Sequence, residues 1–146
     1  MKRGEGWPMH GRAGANLIAS LAGHVKKHRL GAVCADVGFR IGKNADTVRA
    51  PDVAFVRAER AIDTDDFIQG PPDVAVEVVS PNDRYSDVED KILEWLRAGT
   101  RVVIVADPIT RSIRVHRTSG AVNVTDTVEI DDVIPGWRLS LAEAFD

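Results

Sequence analysis

Two carboxylates stand where a buried strand would normally carry apolar side chains. Asp52 directly precedes the apolar residues 53–56, and Glu77 lies inside the apolar segment 73–79. Because strand side chains alternate between two faces, Glu77 falls on a largely apolar face, where it needs a partner or its pKa rises. A hard divalent cation such as Mg²⁺ between the two carboxylates is one solution, since Mg²⁺ takes oxygen ligands. The other solution is an arginine or lysine that pairs with Glu77 across the sheet.

Lys91 is the third residue with a candidate chemical role. It borders the apolar stripe of a predicted helix, so its ammonium group can reach back over the sheet surface that carries Glu77. The members of that stripe are Val88, Ile92, Trp95 and Leu96. The alternative for Lys91 is an ion pair with Asp87 one helical turn earlier, which is an ordinary surface feature.

Three helices are predicted from the spacing of apolar residues and from end signals. They span about residues 14–29, 86–98 and 141–145. Gly31 is expected to end the first helix. Ser86 and Glu89 form a capping box at the start of the second helix, and Gly99 ends it.

Strands are predicted wherever short segments alternate or consist of β-branched residues. They cover about residues 32–41, 52–56, 73–79, 102–106, 113–116 and 122–130. Asp73 is expected to tie down the turn that precedes the Glu77 strand, and Arg114 and His116 to point outward from theirs. This order of elements predicts one α/β (α+β) domain over residues 1–146, with a mixed central sheet flanked by helices.

The remaining reactive residues give weaker signals. His10 is interpreted as a loop histidine, and the other three histidines, His24, His28 and His116, as surface residues. Cys34 is the single cysteine, so no internal disulfide can form, and we expect a reducing cytoplasm and no zinc site.

Composition favours a soluble globular protein: 44% of the residues are hydrophobic and 28% are charged. The sequence contains no apolar run of about eighteen residues, so no membrane helix is predicted. The N-terminal segment lacks the apolar core of a secretory signal. A cytoplasmic protein is therefore expected. The formal net charge is −3, whereas proteins that bind DNA mainly through its phosphates usually carry a basic excess.

Four segments, in this order, resemble a large bacterial family of restriction-endonuclease-like proteins in the PD-(D/E)XK nuclease superfamily. They are RAPDVAFV (49–56), PPDVAVEVVSPNDR (71–84), DVEDKILEWLRAGTRVVIVADP (87–108) and IPGWRLSLAEAF (134–145). The resemblance covers nearly the whole chain. It implies a restriction-endonuclease-like core with its metal site on the central strands.

The resemblance also implies which residues form the site. Asp52, directly after Pro51, matches the aspartate of the PD motif, and Glu77 matches the acidic residue of the second half-motif. The superfamily pattern places a lysine two residues later, where this chain has Val79. Lys91, on the following helix, is the match for that lysine.

By that similarity, Asp52, Glu77 and the backbone carbonyl of Val78 would hold Mg²⁺, with Mn²⁺ as an alternative. The metal would lower the pKa of a bound water, and Lys91 would orient that water or stabilise the developing charge. The implied reaction is hydrolysis of phosphodiester bonds in DNA by a metal-dependent endonuclease. Related nuclease folds often act as dimers, so a homodimer is among the expected states.

One departure concerns the N-terminus. Family members usually open with a strand pair that carries an acidic residue, whereas here only about a dozen residues precede the predicted first helix. Glu5 is a poor substitute for that acidic residue. Two alternatives to an active nuclease follow: a catalytically silent nuclease-fold binding module, and a structural dimerising domain. An exposed Trp137 and an edge strand near Ile113 would supply the dimer surface.

Overall fold

A computed structural model describes residues 8–42 and 47–146 of the chain. The three helices are α1 (Met9–His28), α2 (Tyr85–Ala98) and α3 (Leu141–Phe145). The strands are β1 (Gly31–Ala35), β2 (Phe39–Arg40), β3 (Val48–Arg49), β4 (Val53–Arg57), β5 (Ile68–Gln69), β6 (Val74–Val78), β7 (Val102–Asp107), β8 (Ser112–Arg117), β9 (Gly120–Asn123), β10 (Thr127–Glu129) and β11 (Arg138–Ser140).

The central sheet has six strands in the order β1-β4-β6-β7-β8-β9. Its neighbours pair antiparallel except β6 and β7, which are parallel and are joined through α2. Helices α1 and α3 pack on one face, here called the α1 face, and α2 packs on the other, the α2 face. The predicted α/β fold, a mixed sheet flanked by helices, is confirmed.

Strand alternation divides the core into two layers. Val74, Val76 and Val78 of β6 point to the α1 face, whereas Ala75 packs on the α2 face with Trp95. Both layers are fully buried at the centre of the sheet, which explains the continuous apolar sequence of β6. Period-two geometry then directs the side chain of Glu77 to the α2 face.

Asp73 fixes the start of β6, as predicted. Its Oδ2 accepts a hydrogen bond of 2.8 Å from the backbone N–H of Arg57 at the end of β4. The guanidinium groups of Arg57 and Arg60 each lie 3.5 Å from its carboxylate oxygens. The carboxylate is therefore buried with charged and backbone partners, which compensates for its lost hydration.

Two predicted strands are each divided in the structure. Within the predicted strand 32–41, Asp36 adopts φ 54° and separates β1 from β2, which joins the small sheet β3-β2-β5. The predicted strand 122–130 consists of β9, at the edge of the central sheet, and β10, which pairs with β11. Residues 43–46, between β2 and β3, lie outside the described residues.

Helix ends differ from the prediction at two places. Helix α1 starts at Met9 rather than near Gly14, and it ends at Arg29, which takes the left-handed conformation expected of Gly31. Gly31 is needed for another reason: a Cβ there would lie 2.1 Å from the carbonyl oxygen of Val56 on the paired strand. Gly99 ends α2 with φ 113°, as predicted.

The capping box predicted for α2 is wrong. The cap residue of that helix is Arg84, without a side-chain hydrogen bond, so Ser86 lies inside the helix. A capping box does occur in α3, where the hydroxyl of Ser140 accepts from the N–H of Glu143 and the Glu143 carboxylate accepts in return.

Candidate active site

Asp52 links the end of one central strand to its neighbour. It directly precedes β4, and its Oδ2 accepts a hydrogen bond of 2.7 Å from the backbone N–H of Val78 on β6. In the register of the two strands, Val53 stands opposite Val76. Val78 therefore extends past the end of β4, where its backbone N–H donates to the Asp52 carboxylate. The Asp52 side chain remains 33% exposed, so the rest of its carboxylate is available to a ligand.

The backbone carbonyl of Val78 faces the same place. In a β-strand the N–H and C=O of one residue point to the same side, and the N–H of Val78 points to Asp52. The carbonyl oxygen is thus directed to the Asp52 side of β6. This geometry is compatible with the metal-binding role that the family resemblance implies for the Val78 carbonyl.

Glu77 is buried on the α2 face, with 7% of its surface exposed. Its Oε2 accepts a hydrogen bond of 2.8 Å from the indole N–H of Trp95 on α2. No lysine or arginine in the described part of the chain forms a salt bridge with Glu77, whose partner there is the Trp95 indole. Sequence reasoning identified Trp95 as a buried stripe residue but missed it as the partner of Glu77.

Glu77 also has an unusual proton affinity. Burial raises the pKa of its carboxyl to about 7, the Trp95 hydrogen bond lowers it, and the negative charge of Asp52 raises it again. The positive charge of Lys91 acts in the opposite direction to Asp52. Asp52 and Lys91 therefore lie near enough for their charges to act on the Glu77 carboxyl, and a cation would relieve the repulsion between the carboxylates.

Lys91 lies on the exposed surface of α2, one turn before Trp95. Among the described residues no salt bridge joins it to Asp87, so the ordinary alternative for Lys91 is not observed. The positive charge of Lys91 lowers the pKa of the Glu77 carboxyl, and the reach of its side chain over the sheet toward Glu77 stays a prediction.

His10 is an additional residue at the site. It was interpreted as a loop histidine, but it lies in the first turn of α1, and its Nε2 is 3.8 Å from Oδ2 of Asp52. The two side chains line a small surface cavity together with Asp36. Glycine disfavours helices, so Gly11 and Gly14 argue against a helix that starts before residue 14. For that reason the sequence pattern did not indicate the contact between His10 and Asp52.

Three further predictions about individual side chains are wrong. His116 is not on the surface: it is 8% exposed, because the face of β8 that it shares with Arg114 is partly covered by α2. Trp137 is 1% exposed, and its indole N–H donates to the hydroxyl of Ser20 on α1. Ile113 is buried too, and β9, not β8, forms the edge of the sheet. The surface proposed for a dimerising domain is therefore part of the core.

The donor set suits a hard cation with a partial protein shell. Within residues 8–42 and 47–146, no group of three or more His, Cys, Asp or Glu side chains is arranged to hold a metal ion. Asp52, Glu77 and the Val78 carbonyl instead offer oxygen ligands from two adjoining strands. Mg²⁺ commonly keeps several waters and binds through one or two carboxylates, so these residues fit it. Glu5 lies outside the described residues.

Comparison with known proteins identifies the family. The Uma2 family, described as "putative restriction endonuclease", matches residues 1–142. The chain belongs to the Uma2 family. A search of curated proteins found no match.

A solved structure supports the fold of this Uma2 chain. It is the crystal structure of "a putative nuclease belonging to DUF820" from Anabaena variabilis, and it superposes with a TM-score of 0.82. The identity is 19%, over 96% of this chain and 82% of the other, so the likeness concerns the fold. Among the described residues no helix is both long and apolar enough to cross a membrane.

Proposed function

We propose that this Uma2 protein is a Mg²⁺-dependent endonuclease that hydrolyses phosphodiester bonds in DNA. The observation that carries the proposal is the arrangement around β6. Asp52 bonds to the N–H of Val78, and Glu77, the preceding residue, carries a carboxyl whose pKa responds to the charges of Asp52 and Lys91. Family membership supports the same reaction.

Each residue has a distinct role in the proposal. Asp52, Glu77 and the Val78 carbonyl hold Mg²⁺ or Mn²⁺, which supplies a water of lowered pKa and neutralises charge on the scissile phosphate. Trp95 holds one oxygen of Glu77 and thereby leaves the other for the metal. Lys91 stabilises the negative charge that develops on the phosphate oxygens.

A catalytically silent binding module is the second candidate. Two observations favour it: the described residues contain no group of three or more His, Cys, Asp or Glu side chains that could hold a metal ion, and the net charge of −3 is unfavourable for phosphate binding. An endonuclease with few phosphate contacts would depend on the metal to neutralise the substrate locally.

Cleavage of supercoiled plasmid DNA with Mg²⁺ and with EDTA tests the proposal. We expect nicking or linearisation by the native protein only with the metal, and loss of cleavage in Asp52→Asn and Glu77→Gln. Asp87→Asn is the matched control, since it removes an exposed carboxylate of α2 that is not a proposed metal ligand and forms no salt bridge with Lys91. Equal cleavage by all four proteins would exclude this site, and absence of cleavage by the native protein with either Mg²⁺ or Mn²⁺ would favour the silent module.

A further inference from the structure

A groove of about 310 Å³ lies beside the candidate active site, between α2 and strands β7–β9. We call it the α2 groove. Its walls include Val79, Tyr85, Glu89, Arg114, His116 and Asn123. This volume lies at the lower end of the range of small-molecule pockets. The groove can therefore hold one planar ring but not a stacked base pair.

The strand register connects the α2 groove to the site. Glu77 stands opposite Val105, Val105 opposite Arg114, and Arg114 opposite Asn123. Paired residues share a face of the sheet, so this row crosses the α2 face from the proposed metal ligand into the groove. Arg114 is two strand spacings, about 10 Å, from Glu77. A nucleotide next to a phosphate held at Glu77 can therefore reach the groove.

His116 offers hydrogen-bonding groups to the α2 groove. It is 8% exposed and lines the groove, yet its ring makes no hydrogen bond to any other part of the chain that the structure describes. Burial lowers the pKa of this histidine and so favours the neutral ring, which has one donor and one acceptor. The ring nitrogens are accessible from the groove, since Thr100 Oγ1 is the only fully buried side-chain polar atom among the described residues that lacks a hydrogen bond. A ligand in the groove can therefore bond to the His116 ring.

Charge indicates which part of a nucleotide fits. Asp83, Glu89 and Asp107 line the α2 groove, against one cationic side chain, Arg114. Two of these carboxylates accept backbone hydrogen bonds of their own turns, whereas Glu89 forms no ion pair within the described residues. Such a lining repels phosphate, but it complements the exocyclic amino group of a base.

The mouth of the groove carries an aromatic side chain. Tyr85, the first residue of α2, is 75% exposed and makes no hydrogen bond among the described residues. An exposed ring beside a small pocket is a stacking surface, and stacking on aromatic side chains is a common way to hold unpaired bases.

We propose that the α2 groove binds one unpaired nucleobase that carries an exocyclic amino group, from the nucleotide next to the scissile phosphate. Tyr85 stacks on the base, Glu89 accepts from its amino group, and His116 and Arg114 bond to its ring nitrogen and carbonyl oxygen. The inference rests on the proposed function for the identity of the ligand as DNA. It goes further in naming unpaired or flipped nucleotides as the preferred substrate.

Binding of single-stranded oligothymidylate by the Glu77→Gln variant tests the groove without cleavage. Three fluorescent probes are compared by anisotropy: the plain dT oligonucleotide, the same oligonucleotide with one central dC, and the same with one central abasic site. We expect the dC probe to bind about tenfold more tightly than the abasic probe, which corresponds to one stacked and hydrogen-bonded base. The dT probe is expected to lie between them.

Additional substitutions in that background assign the preference to the groove. Tyr85→Ala should abolish the advantage of dC over the abasic probe, whereas Tyr85→Phe should keep it because the ring remains. Glu89→Gln should remove the preference for dC over dT. Arg97→Ala, an exposed arginine of α2 that does not line the groove, should change none of these ratios.

Equal affinity for the three probes, no binding of any probe, or a dC preference that survives Tyr85→Ala would each overturn the inference. The plasmid assay separates this result from the proposed function. Cleavage without base preference would support the proposed endonuclease activity and exclude base binding in the α2 groove. Base preference without cleavage leaves the groove as part of a silent binding module.

Discussion

Trp95 donates its indole N–H to the Glu77 carboxylate at 2.8 Å, and thereby joins helix α2 to the central strand that carries the proposed metal ligand. The contact is buried, so it contributes both to the fold and to the position of a carboxylate oxygen. A second indole, that of Trp137, makes a comparable bond to the neutral hydroxyl of Ser20 at 2.9 Å.

These two bonds provide a matched pair of substitutions. Trp95→Phe should lower the free energy of unfolding by about 2–3 kcal/mol at pH 8, where Glu77 is charged, and Trp137→Phe by about 1 kcal/mol, since hydrogen bonds to charged groups are stronger. The difference should shrink at pH 5.5, where Glu77 is protonated. Urea denaturation in EDTA at both pH values measures this. Equal costs at both pH values would show that the Trp95 bond does not depend on the Glu77 charge.

Glu77 should make the stability of the metal-free protein depend on pH. Burial raises the pKa of this carboxyl in the folded state from its ordinary value of 4.5 to about 7, so the folded state binds a proton more tightly than the unfolded chain does. The resulting stabilisation is complete below pH 4.5 and is lost as the pH rises through 7. It amounts to roughly 3 kcal/mol at most, from about 1.4 kcal/mol per pKa unit.

The comparison with Glu77→Gln isolates that contribution. In EDTA, the free energy of unfolding of the native protein should rise relative to that of the variant when the pH falls from 8 to 5.5. His116 and the other titrating groups act in both proteins and cancel. Parallel pH profiles for the two proteins would contradict the raised pKa.

Lys91 should affect the rate of cleavage more than metal binding. Lys91→Ala should lower the cleavage rate at saturating Mg²⁺ by about 10²–10³-fold, because it removes one group that stabilises developing charge. The Mg²⁺ affinity should not weaken. Lys27→Ala, which removes an exposed lysine of α1, is the control for net charge. An unchanged cleavage rate in Lys91→Ala would show that this lysine is an ordinary surface residue with no role in cleavage.

His10 should support Asp52 without contributing much to stability. Its ring lies 3.8 Å from the Asp52 carboxylate and is 39% exposed. His10→Ala should raise the Mg²⁺ concentration needed for half-maximal cleavage about tenfold, the lower end of the range for residues that orient metal ligands. The unfolding free energy should stay within about 0.5 kcal/mol. The exposed His28→Ala is the control, and an identical Mg²⁺ requirement in the two variants would exclude His10 from the site.

The strand that carries Glu77 could be predicted from sequence because its signal is local. A carboxylate among β-branched residues indicates a buried strand whose charged side chain needs a partner. Asp52, directly before a short apolar strand, likewise indicates a carboxylate that needs a partner. The helix that carries Lys91 could likewise be predicted, from the helical spacing of its apolar residues. These features depend on periods of two and of about 3.6 residues, which a single sequence displays directly.

Contacts between distant segments could not be predicted in that way. The alternation of β8 correctly put Arg114 and His116 on one face, but whether that face meets solvent depends on the position of α2. Trp137 was expected on the surface because its partner Ser20 is more than a hundred positions away in the sequence. The environment of Trp95 likewise required the packing of α2 on β6.

The central claim is that Asp52 and Glu77 together bind a divalent metal ion, and isothermal titration calorimetry with Mg²⁺ tests it most directly. We predict saturable binding by the native protein and by the control Asp87→Asn, and loss of binding in both Asp52→Asn and Glu77→Gln, with all four proteins folded by circular dichroism. No binding by the native protein, or binding that persists in the two site variants, would contradict the claim.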